Sequence, residues 1–403
     1  AQNFSLQSVW ARLDQAAAVE RISSAALYPS LDIDGNAGRT WTDTGAGTTN
    51  SFALGAMAGY EVDLWGRIGS GSRAAALDRQ AGEAELVAAA ISLSAEVAGT
   101  WYQLVEQYGQ QVLVSNQLES NSRVLELITL RFRRGKVGAT DVLQQRQLVE
   151  SNRGEQANVQ SQIGVLEHRL AILLGESPDA RVAEPRHELI DVRELPATGI
   201  PAELVRRRPD LRQRFYSLRA ADQRTAAAVA DRFPRISLQG SSDTTASDAS
   251  DLFSNWLGNL SANLVAPVID GGRRRAEVDR TRAVAEQSLN DYRLALVDAL
   301  GEVEDALVRE RQQRVFIDSL DKQLALSRQV IERVRDSYLF GAVDYLRVLD
   351  VLITDQNLER NRLTARRNLI DNRIALYRAL AGGWALDRPA PADNTSERRV
   401  THV

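Results

Sequence analysis

Apolar and polar positions along this chain switch from a helical rhythm to a strand rhythm and back, and they do so twice. Residues 3–27 read as a helix that Pro29 stops. Leu31, Ile33, Gly35 and Ala37 then alternate with Asp32, Asp34, Asn36 and Gly38, the period of a strand. A Thr/Gly/Asp-rich loop over 42–50 leads to a second strand. There Phe52, Leu54, Ala56, Ala58, Tyr60, Val62 and Leu64 share one face, and Gly55, Gly59, Glu61 and Asp63 the other. The next stretch, 72–134, has no proline and only Gly82, Gly99 and Gly109 as weak points. As one helix it is about 95 Å long at 1.5 Å per residue. A reversal at 135–138 sends a shorter helix back to Leu174, about 54 Å.

The same order returns about 206 residues later. Leu27-Tyr28-Pro29-Ser30-Leu31 recurs as Arg232-Phe233-Pro234-Arg235-Ile236, Gly66-Arg67 as Gly272-Arg273, and Gly135-Lys136-Val137 as Gly341-Ala342-Val343. Val142-Leu143 and Leu170 match Val348-Leu349 and Leu376. A register held this long marks a tandem duplication. In the second copy Ile236, Leu238 and Gly240 alternate with Ser237, Gln239 and Ser241, and a polar loop covers 243–251. In the strand that follows, Trp256, Gly258, Leu260, Ala262, Leu264, Ala266 and Val268 oppose Asn259, Ser261 and Asn263. The long helix over 274–340, roughly 100 Å, carries Leu320, Leu324, Ser327, Ile331, Val334 and Tyr338 at the alternating spacing of a coiled-coil seam. In each copy the two shorter helices together come to about 91–93 Å. Stacked end to end, they run alongside the long one as the wall of a tube.

Strand pairs with one greasy face pack on a core or face lipid. The count favours lipid: four strands cannot close a barrel, and an open edge does not survive in hydrocarbon. Three chains supply about twelve strands, an ordinary outer-membrane size. A filamentous coiled coil is the competing reading of the long helices, against which the strand pairs and the duplication argue.

Composition removes other classes. The 403 residues include 10 prolines and 8 phenylalanines, and Ala, Leu, Gln, Arg and Glu dominate, a helix-rich bias. A net charge of −4 leaves no surplus to neutralise nucleic-acid phosphates. There is no cysteine, hence no disulfide, thiolate metal site or thiol nucleophile. No apolar run approaches the roughly 18 residues of a spanning helix. The three histidines, His168, His187 and His402, stand at no ligand or catalytic spacing. No cofactor or metal is expected, and no enzymatic activity. Gly271-Gly272-Arg273 lacks the frame of a phosphate loop and reads as a strand-to-helix turn with arginines near lipid headgroups.

The string RRRPDLRQRFYSLRAADQRTAAAVADRFPRISL (206–238), the turn VIDGGRRRAE, the tip FGAVDYLRVLD and the close LYRALAGGW resemble outer-membrane efflux factors of the TolC/OprM type, over nearly the whole chain. RRPD and LAGGW resemble the OprM-like branch. The resemblance implies a mainly α homotrimer with a small β part. A twelve-stranded outer-membrane barrel, four strands per chain, would continue into a helical periplasmic barrel. It implies tunnel helices at 1–27 and 208–232, barrel hairpins at 28–66 and 233–271, and long helical hairpins at 67–174 and 272–381. An equatorial linker would cover 175–207, and an equatorial segment with a flexible tail 382–403. It further implies a passive exit duct for drugs and other small toxic solutes, partnered with a periplasmic adaptor and an inner-membrane pump of the resistance–nodulation–division type. A type I secretion duct shares the fold. Family members begin with a lipidated cysteine and a further helix ahead of the segment resembling 3–27, neither of which this sequence shows, so a lipid anchor stays open. At the tip, the resemblance implies a gate at Thr140, Asp141, Tyr338, Val343, Asp344 and Arg347, and adaptor docking at Gly135, Lys136, Val137, Gly138, Gly341 and Ala342. Asp141 and Arg347 hold equivalent repeat positions with opposite charge, which suits an ion pair between repeats or protomers. Asp344 would add a carboxylate ring at the entrance.

Overall fold

A computed structural model describes residues 3–41, 48–180, 188–193 and 206–381. Most of the expected 42–50 loop, much of the linker, His187, His402 and the 382–403 segment with its Gly-Gly-Trp lie outside the described residues. The elements are α1 (Phe4–Ala25), β1 (Ser30–Trp41), β2 (Thr48–Val62), α2 (Arg67–Arg133), α3 (Ala139–Leu174), α4 (Pro209–Ala230), β3 (Arg235–Ala246), β4 (Leu257–Val265), α5 (Arg273–Leu339) and α6 (Tyr345–Leu380). Their lengths repeat: 22 residues in α1 and α4, 67 in α2 and α5, 36 in α3 and α6, 12 in β1 and β3. Only the second strands differ, 15 residues in β2 against 9 in β4.

Several strand limits differ from the alternation, each for a local reason. Leu64 falls outside β2 because Asp63 turns to the helix. Its carboxylate accepts from the Ile68 N–H at 2.9 Å and the Gly69 N–H at 2.7 Å, two donors with no partner inside α2. With Gly66 in the left-handed region (φ +72°), α2 therefore begins at Arg67 instead of near Ser72. Asp270 serves α5 alike, accepting from Gly272 N–H and Arg274 N–H. Asp243, expected in a loop, pairs within β3, while Trp256, Ala266 and Val268 lie outside β4.

The strands form one antiparallel sheet in the order β1-β2-β3-β4, so the two repeats pair through β2 and β3. The register aligns Leu31 with Ala58, Ile33 with Ala56 and Gly35 with Leu54. It carries the same face across Tyr60, Leu238 and Ala262 and across Val62, Ile236 and Leu264. That face is mainly apolar, interrupted by Arg39, Asn50, Ser242 and Thr244, and Leu260 is 86% and Ile33 74% exposed within one chain. The opposite face bears Asp32, Asp34, Ser237, Gln239, Ser241, Asn259 and Asn263. Gly55 separates Asp34 from Asp243 there. A Cβ on Gly55 would lie 2.7 and 2.8 Å from their carboxylate oxygens. β1 and β4 are free edges.

The chain divides into two compact units. The one holding the sheet (9–86 and 209–296) packs its helices through small side chains, with Ala74, Ala75, Ala81 and Ala84 of α2 and Ala220, Ala221 and Ala230 of α4 buried. Ion pairs Arg79–Glu20 and Arg224–Asp78 border them. In the other unit (1–8, 87–208, 297–403) Leu104, Val114, Val159, Ile163 and Leu170 join α2 to α3. Leu320, Leu324 and Ser327 of the predicted seam are buried. Asn3 donates to the Leu173 carbonyl at 2.9 Å, and Arg208 of the RRPD motif donates to the Ala379 carbonyl at 3.4 Å. These are matching repeat positions, so in both copies the residue ahead of the short helix bonds to the same carbonyl position of the return helix. No described helix is long and apolar enough to cross a membrane.

Residues 188–193 are strapped to the second hairpin. Leu189 packs on Val105 and Ile370, and Arg314 and Arg373 both donate to the Arg193 carbonyl at 2.9 Å. The same arginines hold Glu310, which is fully buried. Burial pushes the Glu310 carboxyl up, but the hydrogen bonds and charges of Arg373 and Arg314 outweigh it and hold it below the ordinary range.

Two outcomes follow. Leu260→Arg, on the apolar face, should cost about 2–4 kcal/mol in a bilayer and lower the yield of folded protein recovered from membranes, whereas Asn259→Arg beside it should be tolerated. Arg373→Ala leaves Glu310 with only the half-exposed Arg314 and should destabilise by about 3–5 kcal/mol. Because the folded Glu310 value is depressed, its stabilisation is present above about pH 4.3 and lost as pH falls through the folded value. Thermal midpoints against pH should show this acid loss in the native chain, and Glu310→Gln should flatten it.

Candidate gate at the hairpin tips

Both hairpins turn in the same way. Gly135 and Gly341 adopt φ of +66° and +73°. Lys136 N–H donates to the Arg131 carbonyl at 2.9 Å and Ala342 N–H to the Ser337 carbonyl at 2.8 Å. Gly135 N–H and Gly341 N–H donate to the Phe132 and Tyr338 carbonyls at 2.8 and 3.0 Å. These are paired helix-ending bonds that need a left-handed residue, hence the glycines. The return helices start differently. Gly138 caps α3 without a side-chain bond, while the Asp344 carboxylate accepts from the Arg347 N–H at 3.0 Å and caps α6. Asp344, expected as an entrance charge, is thus first a helix cap.

Behind the turns Ile128, Val142, Leu148, Tyr345 and Leu349 form an apolar cluster flanked by Val137, Val348 and Tyr338. The rings of Tyr338 and Tyr345 lie 5.6 Å apart, and the Arg131 guanidinium sits 5.0 Å from the Tyr338 ring centre. The Tyr345 hydroxyl donates to Gln145 Oε1 at 2.7 Å, and Gln145 Nε2 donates to the Asn121 carbonyl at 2.7 Å. The Tyr338 hydroxyl is buried with no partner. Burial raises both phenols above their ordinary value, and the nearby Asp141 carboxylate adds to this in each. The structure therefore brings Asp141 and Tyr338 to the tip core, while Val343 is half-buried at the turn and is not among the residues of that cluster. Thr140 is exposed, as are Gly135, Lys136, Gly138, Gly341 and Ala342. Arg347 reaches Asp350 at 3.3 Å, and no ion pair joins it to Asp141 within the chain.

A second feature runs from the tip along α2 and α6. Glu106, Gln110, Gln117 and Asn121 are buried on α2. Glu106 accepts from Thr364 Oγ1 at 2.6 Å and from Arg367 Nε at 3.0 Å. Gln110 donates to the Arg360 carbonyl at 3.1 Å, and Arg360 donates to Gln117 Oε1 at 2.7 Å. Asn121 Nδ2 approaches Gln356 Oε1 at 3.4 Å. This polar ladder, with Gln145, Tyr345 and Arg131, was not anticipated. Its signal was present: amides and a carboxylate stand at the spacings where a helix buries its apolar side chains.

The chain matches the family model described as outer membrane efflux protein over residues 1–176 and 200–382. It belongs to the outer membrane efflux protein family. The pyoverdine export outer membrane protein OpmQ of Pseudomonas aeruginosa is 33% identical over 397 residues, covering 94% of this chain and 82% of the relative. The cation efflux system protein CusC of Escherichia coli is 29% identical, covering 95% and 84%. The crystal structure of CusC superposes with a TM-score of 0.87 at 28% identity, over 94% of this chain and 90% of that one. That of the outer-membrane channel OprN superposes with 0.86 at 26%, over 95% and 88%. As an outer membrane efflux protein the chain is a channel of the outer membrane that reaches into the periplasm. It is built as a trimer with a barrel and a helical tunnel. The apolar face of the sheet consequently meets lipid, the polar face meets the lumen, and β1 and β4 pair with neighbouring protomers.

Tyr345→Phe should cost about 1–3 kcal/mol by leaving the buried Gln145 oxygen unpaired. Hydrogen exchange should speed up at the tip amides of α3 and α6 and stay unchanged in the strands.

Proposed function

We propose that the chain is the passive exit duct of a tripartite efflux assembly, closed at the periplasmic tip by the ring of hairpin turns. Residues 1–27 and 208–232 serve as tunnel helices, 28–66 and 233–271 as barrel hairpins, 67–174 and 272–381 as long helical hairpins, and 175–207 with 382–403 as the equatorial belt. The observation that carries the reading is a four-stranded sheet, lipid-compatible on one face and open at both edges, on a chain whose long hairpins end in matching glycine turns. A periplasmic adaptor docks on Gly135, Lys136, Val137, Gly138, Gly341 and Ala342, and the inner-membrane pump is of the resistance–nodulation–division type. Drugs and other small toxic solutes are the cargo, and the duct performs no chemistry on them. The names of the two relatives, pyoverdine export and cation efflux, support small-solute traffic.

The gate consists of Thr140, Asp141, Tyr338, Val343, Asp344 and Arg347. Asp141 lies beside two buried phenols, one with an unpartnered hydroxyl. Arg347 stands exposed, its guanidinium paired among the described residues with Asp350 on its own helix turn, and so is available to an Asp141 of the neighbouring protomer. Exposed pairs of this kind contribute about 0–1 kcal/mol each, so three around a ring bias the tip shut yet yield to a partner. Asp141→Ala with Arg347→Ala should raise single-channel conductance in planar bilayers several-fold, while unchanged conductance removes both residues from the gate. Drug susceptibility of a deletion strain, with recovery of a bound adaptor and pump, tests the duct itself.

A further inference from the structure

The feet of the two barrel hairpins, though related by the duplication, carry different charge. In the second repeat Arg232, Arg235, Arg273, Arg274 and Arg275 gather where β3 begins and α5 starts. Asp231 takes Arg235 and Arg274, the latter at 3.1 Å, and Asp270 takes Arg274 again at 3.3 Å. Arg232, Arg273 and Arg275 are exposed, and among the described residues no carboxylate lies within ion-pair distance of them. The corresponding first-repeat positions are Leu27, Arg67 and Gly69, and Arg67 is paired with Glu61 at 2.8 Å. One foot is therefore nearly neutral, while the other carries an excess of cations: Arg232, Arg273 and Arg275 make no ion pair among the described residues, and Arg273 is offset only through space by Glu277.

Aromatic rings mark the same level. Trp65 stacks on Phe233 with centroids 4.7 Å apart, and its indole N–H donates to the Pro234 carbonyl at 2.8 Å. Both rings are close to half exposed. They sit directly below the lipid-facing row that ends at Val62 and Ile236. A half-exposed indole whose polar edge is satisfied belongs at the boundary between acyl chains and headgroups. Arg232 adjoins Phe233, the Arg274–Asp231 pair brings the first turn of α5 alongside, and arginine side chains are long enough to reach phosphates at that depth. Asp270 caps the first turn of α5, but one carboxylate against Arg273, Arg274 and Arg275 leaves positive charge at a helix end that is itself positive.

We propose that the second-repeat foot is a binding surface for anionic phospholipid of the periplasmic leaflet. Arg232, Arg273 and Arg275 engage the headgroup phosphates, while the Trp65–Phe233 stack seats the upper acyl chain. The trimer carries three such patches, one per protomer, alternating with neutral feet.

Native mass spectrometry of the full-length trimer, released from detergent with phosphatidylglycerol or phosphatidylcholine added, tests this. The native chain should retain phosphatidylglycerol in preference to phosphatidylcholine. Each of Arg232→Gln, Arg273→Gln and Arg275→Gln should weaken that retention about five-fold. Arg39→Gln, at the far end of β1, should leave it unchanged. The trimer mass in the same spectrum reports whether each variant has assembled. The native chain alone provides a second check: its preference should vanish as salt rises from about 0.05 M to about 0.5 M. Equal retention of the two lipids, a preference insensitive to salt, or undiminished retention in the assembled variants would overturn the proposal.

Discussion

Hydrocarbon offers no hydrogen bonds to a bare backbone, and this protein's architecture follows from that single constraint. Four strands with an apolar face can enter a bilayer only if the β1 and β4 edges are paired, and one chain has no strand left to pair them. Closure must come from other copies. The trimer is thus a condition for the β-sheet to exist in the membrane at all, and the helices below inherit its symmetry.

Duplication supplied the parts, and divergence between the copies gave them different work. Helix lengths match to the residue, both tips use a left-handed glycine, and Asn3 and Arg208 tie the two short helices to the same carbonyl position of their return helices. Where the copies differ, the chemistry differs. Gly138 has become Asp344, which caps α6 with a carboxylate. Leu27 has become Arg232, which leaves one foot of the sheet basic. β4 is six residues shorter than β2, and a short turn at Ala249–Asp251 follows β3 instead.

The helical part relies on two kinds of seam. Within the first repeat, α2 meets α3 through Leu104, Val114, Val159 and Ile163, a contact that tolerates small adjustment. Between repeats, α2 meets α6 through Glu106, Gln110, Gln117 and Asn121, which bond to Thr364, Arg360 and Gln356 in this register while Gln110 Oε1 is left without a partner. Buried polar partners set register more sharply than they add stability. The ladder reaches the tip at Gln145 and Tyr345, so the position of α6 on α2 and the packing of the hairpin tip are fixed together.

The repeat, the long helices, the strand pairs and the need for partner chains were all legible in the sequence, because each rests on spacing, and the periods of 2 and 3.6 survive translation into structure intact. The glycine turns were legible too, since a left-handed residue leaves its mark as glycine. Strand ends were less so: whether Asp63 continues a strand or caps a helix depends on two N–H groups that exist only once α2 has formed. The contacts made at the tip were not legible, because tertiary structure decides them: Asp344 caps a helix, Arg347 turns to Asp350 and Tyr345 is buried against Gln145. Polar side chains at core spacing look like defects in a linear pattern. They become a ladder only when another helix, some 240 residues away in sequence, brings the complementary donors and acceptors within reach.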